Sequence, residues 1–339
     1  MASELAALSA RLGRDPRLVQ GAGGNTSLKT GDRLLVKASG TCLADALADD
    51  IFVELSTRHV LERIANGRED FETIGSPRGL APSIETSMHA ILPDPVVLHV
   101  HSVNAISWAV RREGRALVAP RLAGLDWVWV DYARPGLPLT RAIQQARRGH
   151  PTATVMILAN HGVVVTGTSL RDAHERLMDL EVRLAAPTLR VVNPTKNPLQ
   201  ATDAAAIGAR LPGNSALHAL AAPGMVDDEV LNGVLYPDHV VFLGEHIPRL
   251  TEAGAASPGG DVKCIVVAER GVLLFPAASR GSEAMLECLA LLAPTLPPSA
   301  ELVFLRRDEI ASLTGWDAEK LRQQLMKAED SGKGDHISV

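Results

Sequence analysis

The sequence is short of aromatic side chains and of cysteine. Phenylalanine, tryptophan and tyrosine together make 3% of its 339 residues, and Tyr132 and Tyr236 are the two tyrosines. A phenolic acid catalyst therefore has two places to come from. The three cysteines, Cys42, Cys264 and Cys288, are odd in number, widely spaced and outside any CxxC pair. That usage fits free buried thiols in a reducing compartment. Long apolar runs are also missing: Val155 to Ala159, Cys264 to Ala268 and Cys288 to Ala293 are typical, far below the ~18 residues a bilayer span requires. No basic block stands out among 34 basic and 39 acidic side chains, and the net charge is −5. Neither a membrane nor nucleic acid is expected as a partner. Met1 to Leu8 carries Glu4 where a signal peptide would carry positive charge, so a cytoplasmic location is expected.

What is present is an ordinary globular balance, 46% apolar and 22% charged, which excludes a disordered chain, a collagen and a coiled-coil rod. The length predicts two domains. Leu5, Leu8 and Leu12 recur at helical spacing, and Gly21 to Ser27 reads as a glycine-rich turn. Strands are predicted at Leu34 to Ala38, Ile51 to Leu55, Val96 to Val100, Trp127 to Asp131 and Thr154 to Leu158, with a helix opening near Ser83 and another capped by Ser169. A boundary is expected between about Ala186 and Leu211, giving domains at 1–200 and 211–328 and a flexible tail at 329–339. The second half reads as helix near Ser215, strands at His239 to Leu243, Val262 to Val267 and Val272 to Phe275, a helix from about Ser282 to Leu292, and two short helices in Arg307 to Met326.

His99 and His101 stand at i and i+2 on a predicted strand, so both face one side while Leu98 and Val100 face the core. Two imidazoles so placed can converge on one cation, and the competing reading is a polar strand face. His161, beside Gly162 just past a buried-looking strand, is the third candidate ligand or else a surface loop histidine. Glu85 can be a metal ligand and general base, or simply an acidic residue favoured by the helix dipole. His89, one helical turn on, is expected to pack or hydrogen-bond under the site. The turn Gly21 to Ser27 with Asn25 and Ser27, the turn Ser39-Gly40, and Ser83 at a helix start are three anion-friendly positions in one domain. Such turns also arise for steric reasons alone. Together with a metal they suggest an oxyanion or phosphate-bearing substrate.

Gly24-Asn25-Thr26-Ser27, Lys37-Ala-Ser39-Gly40, Pro82-Ser83-Ile84-Glu85, His99-Val-His101 and Asn160-His161-Gly162 occur in the order seen in the class II aldolase/adducin family. The chain resembles that family over about residues 4–190, and Tyr236-Pro-Asp-His239 looks like the C-terminal extension of its longer members. The resemblance implies an α/β/α sandwich around a mostly antiparallel sheet, a smaller C-terminal α+β domain, and a homotetramer with its site at a subunit interface. It implies Zn2+, or another divalent transition metal, on His99, His101 and His161, with Glu85 as the base. It also implies an anion site around Gly24, Asn25, Ser27, Ser39, Gly40 and Ser83 for a sugar-phosphate-like substrate. The implied activity is that of zinc aldolases related to L-fuculose-1-phosphate aldolase, which work through a zinc-stabilised enediolate without a Schiff-base lysine.

A metal-dependent β-keto acid decarboxylase of the same family is the alternative. Pentulose-phosphate epimerases carry aspartate at the position matched by Glu85, and a non-catalytic adducin-like head would not need all three histidines. Two departures stand out. Ile84 replaces a second phosphate-binding serine, and Ala119 to Leu122 lacks the tyrosine that acts as acid in the aldolases. Arg121, Tyr132 and the second half are the remaining sources of that acid.

Overall fold

In the first half, apolar residues point alternately to two sides of most strands, and both sides of the sheet are covered. The computed structural model describes residues 2–191, 197–251 and 261–330. Part of the expected linker, 192–196, and most of the expected tail, 331–339, lie outside the described residues. Seven strands, β1 (Asn25–Thr30), β2 (Arg33–Lys37), β3 (Phe52–Ser56), β4 (Val96–Val100), β5 (Trp127–Val130), β6 (Val155–Leu158) and β7 (Gly162–Gly167), form one sheet of order β3-β2-β1-β4-β7-β6-β5. Every pair is antiparallel except β5 with β6.

The helices of this half are α1 (Ala2–Gly13), α2 (Thr57–Ala65), α3 (Thr86–Ile91), α4 (Val103–Ala109), α5 (Gly114–Val118), α6 (Leu137–Arg147) and α7 (Leu170–Arg183). Val96, Leu98 and Val100 of β4 pack with Leu5, Trp108 and Leu177 from α1, α4 and α7. Val97 faces the other way, toward Met88 of α3 and Leu139 of α6. That two-sided burial explains why β4 is apolar at four of its five positions. His99 is the exception, on the face of Val97 and paired with Asn25 on one side and Val164 on the other.

The second half contributes α8 (Ala201–Ala206), α9 (Asp228–Leu231), α10 (Pro237–Leu243), α11 (Arg280–Leu292), α12 (Arg307–Thr314) and α13 (Asp317–Asp330). It also adds a small sheet of order β10-β9-β8 from β8 (Arg249–Leu250), β9 (Cys264–Val267) and β10 (Gly271–Leu274). Its apolar core is continuous with the first half: Ala22, Val103, Ile106 and Val110 lie in one buried cluster with Leu235, Phe242, Met285, Leu289 and Met326.

Two local expectations differ from the structure. Asn25 to Ser27 belongs to a strand, because the turn ends at Gly24 and β1 is drawn into the ladders of β2 and β4. His239 to Leu243 is helical, and Pro237 sits in the first turn of α10 where its missing N–H is harmless. A short, wholly buried apolar run has no period that separates strand from helix. The helix expected near Ser215 is present as a 3-10 helix, Ser215–Ala221.

Candidate metal centre

β4 ends on the pair that the spacing singles out. His99 is in the strand, His101 follows it, and His161 projects from the turn between β6 and β7, where Asn160 takes a left-handed φ of 52°. All three imidazoles are buried, with ring centroids 4.9 to 5.1 Å apart. One ring nitrogen from each lies within 4.8 Å of the others.

The partners fix which nitrogens face inward. His99 Nδ1 is 3.0 Å from the carbonyl of Val163. A carbonyl can only accept, so Nδ1 carries the proton and Nε2 the lone pair. His101 Nδ1 faces Oδ2 of Asp238 at 3.3 Å, a close contact short of hydrogen-bond geometry, and a carboxylate so placed favours a proton on that nitrogen, the same tautomer. The two Nε2 atoms then meet at 3.2 Å, lone pair to lone pair. A cation between them removes that repulsion. Tetrahedral zinc with bonds of 2.0–2.1 Å spaces neighbouring ligand atoms about 3.3–3.4 Å apart, so the residues present fit such an ion. Burial lowers the pKa of His99, and burial likewise holds His161 down to about 3. Both imidazoles are therefore neutral, the form that binds metal.

Glu85 closes the group. Its Oε2 is 3.4 Å from His99 Nε2 and its Oε1 is 3.7 Å from His161 Nε2. Oε1 is buried without a hydrogen-bond partner, while Oε2 accepts from Asn25 Nδ2 at 2.8 Å. Burial pushes this carboxyl up, but the three imidazoles and the Asn25 amide outweigh it and hold the pKa near about 2. Glu85 is thus ionised, with one oxygen oriented and the other uncommitted.

Under the centre, Asn25 Oδ1 takes a short hydrogen bond from His89 Nε2, and His89 Nδ1 is 2.7 Å from Ser27 Oγ. His89 therefore does what its helix position suggests: it orients the Asn25 amide toward Glu85. Ser27 faces this histidine and does not line the adjoining cavity. The other expected anion-site residues do. Gly24, Asn25, Ser39, Gly40, Ser83 and Glu85 line a cavity of about 20 Å³ together with His101 and His161, roughly the room of one water molecule. Gly24 has a φ of 62°, and a Cβ there would lie 2.9 Å from the His99 carbonyl oxygen. The Ser39 hydroxyl is buried without a partner.

Several lining residues were given no role by sequence reasoning. Lys37 is buried, its ammonium donates to the carbonyls of Ala22 (2.8 Å) and Thr41 (2.6 Å), and burial lowers its pKa to about 8. A lysine closing the apolar run Leu34 to Val36 was the available signal. Asp238, Leu313, Glu319 and Arg322 enter from the second half, and nothing in their local spacing announces it. Asn160 Nδ2 donates to the carbonyls of Leu235 (2.9 Å) and Val303 (2.7 Å), tying the His161 turn to that half. Arg121 instead stacks over Trp108 at 4.3 Å. Tyr132 packs against the second-half core, and neither lines the cavity.

Known proteins resemble the first half of this chain. A 27% identical relative over 174 residues is an L-fuculose phosphate aldolase of Methanocaldococcus jannaschii, the match covering 49% of this chain and 84% of that protein. An uncharacterised oxidoreductase of Bacillus subtilis, YuxG, is 29% identical over 199 residues, covering 52% of this chain and 28% of that protein. The chain thus spans little more than a quarter of YuxG's length. Among solved structures, the N-terminal class II aldolase domain of a conserved Thermoplasma acidophilum protein aligns over 54% of this chain and 91% of its own, at 24% identity and a TM-score of 0.45. The family model for the class II aldolase and adducin N-terminal domain matches residues 3–186, over half of the chain, and the protein belongs to that family.

Proposed function

We propose that this protein is a metal-dependent class II aldolase. It would cleave or form a carbon–carbon bond in a sugar phosphate or a related hydroxy-keto compound. The observation that carries the reading is the pair of inward-facing Nε2 atoms of His99 and His101, 3.2 Å apart, with His99 Nδ1 bonded to the Val163 carbonyl and His101 Nδ1 facing the Asp238 carboxylate. His99, His101 and His161 would hold the ion, with Zn2+ the expected metal. When bound, the metal supplies Lewis-acid stabilisation of negative charge on the substrate oxygens, worth several kcal/mol.

The remaining chemistry falls to the chain. Glu85 is ionised and has one oxygen free of hydrogen bonds, so it serves as the base that takes the proton from the donor carbon and returns it. Asn25, steered by His89, holds the other carboxylate oxygen in place. The Ser39 hydroxyl, Gly40, Ser83 and the Lys37 ammonium border the cavity where the substrate's anionic group would rest. A homotetramer in the cytoplasm goes with this reading.

Deuterium exchange into dihydroxyacetone phosphate tests it, followed by proton NMR in D2O with zinc-loaded protein and no aldehyde. Exchange of one prochiral proton is expected. Absence of exchange in protein shown to hold metal would overturn the reading for a phosphorylated donor. A β-keto acid decarboxylase is the second reading. It is favoured by Ile84, which lines the cavity where a phosphate-binding hydroxyl would otherwise stand, and release of CO2 from β-keto acids would reveal it.

A further inference from the structure

We infer that Asp238, delivered by α10 of the second half, is the positioning carboxylate of His101 and sets how tightly the centre holds its metal. The inference rests on the metal reading above. His101 follows the end of β4, and among the described residues no backbone carbonyl accepts from its Nδ1 as Val163 does from His99. The nearest acceptor is Asp238 Oδ2, at 3.3 Å, with both side chains buried. That oxygen is buried and receives no hydrogen bond of good geometry, so the close approach of His101 Nδ1 is what faces its charge. The second carboxylate oxygen is taken by a short contact from the Arg322 guanidinium, and Arg322 Nε is in turn 3.0 Å from Glu319.

A continuous buried chain therefore runs from His101 through Asp238 and Arg322 to Glu319. It crosses from the central sheet to α13. The backbone leaves room for it: a Cβ on Gly23 would lie 2.8 Å from His101 Nδ1 and 3.1 Å from Asp238 Oδ2. The same part of the second half touches the neighbouring ligand turn, where Asn160 bonds the carbonyl of Leu235, three residues before Asp238. An accepting carboxylate fixes the imidazole tautomer, aims Nε2 and raises its basicity. Loss of such a partner typically costs 10–100-fold in metal affinity.

The test measures zinc affinity of the full chain by chelator competition, alongside the thermal stability of the metal-free protein. Asp238→Asn keeps the shape and removes the charge. It is expected to weaken zinc binding about 10–100-fold. Arg322→Gln, which breaks the outer pair but leaves the carboxylate on His101, should cost less. If Asp238 is only a structural ion-pair partner, the two variants will match each other, or Asp238→Asn will bind zinc as the wild type does. Either result overturns the inference.

A second measurement does not depend on the variant folding. In zinc-loaded wild type labelled with 15N-histidine, His101 should be protonated at Nδ1 and coordinated through Nε2. Coordination through Nδ1 would refute the assignment. Failure of the two readings is distinguishable. Wild type that binds no zinc sinks both, whereas wild type that binds, with His101→Ala that does not and Asp238→Asn that does so unchanged, sinks only this one.

Discussion

The two halves of the chain hold the same centre by different means. The first half places its side chains by strand register: Asn25 stands opposite His99 in the ladder of β1 and β4, and His161 caps the next hairpin. Their positions follow from hydrogen bonds that the backbone must make anyway. The second half places Asp238, Glu319 and Arg322 from helices, through side-chain ion pairs buried in the interface. Such pairs stabilise only when every member is satisfied, and losing one partner leaves a buried charge. The sheet thus supplies geometry, and the helices supply charge that must be balanced. Substitutions in the first half should alter what the site can do, and those in the second how firmly it does it.

The largest expected break is His101→Ala. Removing an inner imidazole should strip most of the metal, and losing several kcal/mol of charge stabilisation lowers turnover by about 10³-fold or more. Metal content and rate measured on one sample check it, and an active, metal-bound variant would remove the three-histidine assignment. Glu85→Gln should keep the metal yet slow proton transfer by about 10²–10⁴-fold. Unchanged exchange in that variant would mean another base serves.

A comparison by pH sharpens the contrast. Burial holds His89 in the first half at about 3 and His239 in the second at about 4. Both are below the ordinary histidine value of about 6.5. The unfolded chain therefore binds more protons than the folded one once the pH drops below 6.5, and stability falls as pH falls. That loss continues to about 3 for His89 and stops near 4 for His239. Each group contributes a slope of about 1.4 kcal/mol per pH unit within its window. Denaturant titrations of metal-free protein from pH 7 to 4 should show it, and His89→Gln or His239→Gln should each flatten the curve; an unchanged slope would show that the group does not titrate on unfolding. The smallest effect is Ile84→Ser. One added hydroxyl donor, worth about 0.5–1.5 kcal/mol, should tighten a phosphorylated ligand roughly 2- to 12-fold, measured by inorganic phosphate or dihydroxyacetone phosphate titration. No tightening would argue that the anionic group lies elsewhere.

These differences track what can be read from residues alone. His99 and His101 were legible because a strand has period two and both neighbours are apolar. His161 was legible because a glycine next to a buried strand end marks a turn. The role of His89 under Asn25 followed from its place one turn after Glu85. Ser27 was assigned by its neighbours in a motif, yet β1 turns it beneath the sheet toward His89. Asp238 was quoted only as part of a motif, and its role, like that of Arg322, was not legible for a physical reason: their partners are remote in sequence, and an Asp after a proline or an Arg in a polar helix has the same local signature exposed or buried. The helix at Pro237 to Leu243 was misread as a strand for a related reason, since an apolar run buried on all sides carries no periodicity.

Asn160 has a consequence for how this protein can change over generations. Its amide spends both N–H donors on main-chain carbonyls, those of Leu235 and Val303, and a buried donor left without an acceptor costs about 1–3 kcal/mol. A backbone carbonyl is the same whatever side chain hangs beside it. The demand Asn160 makes is therefore on the path of the chain at two points and not on the residues that occupy them. Asn160 itself asks nothing of the side chains there, so what limits them is packing alone, as for Leu235 in the buried core, and segments of foreign ancestry can be accepted if their course and packing are the same. A replacement with a different course leaves the histidine turn without its anchor, even when every motif of the first half is intact.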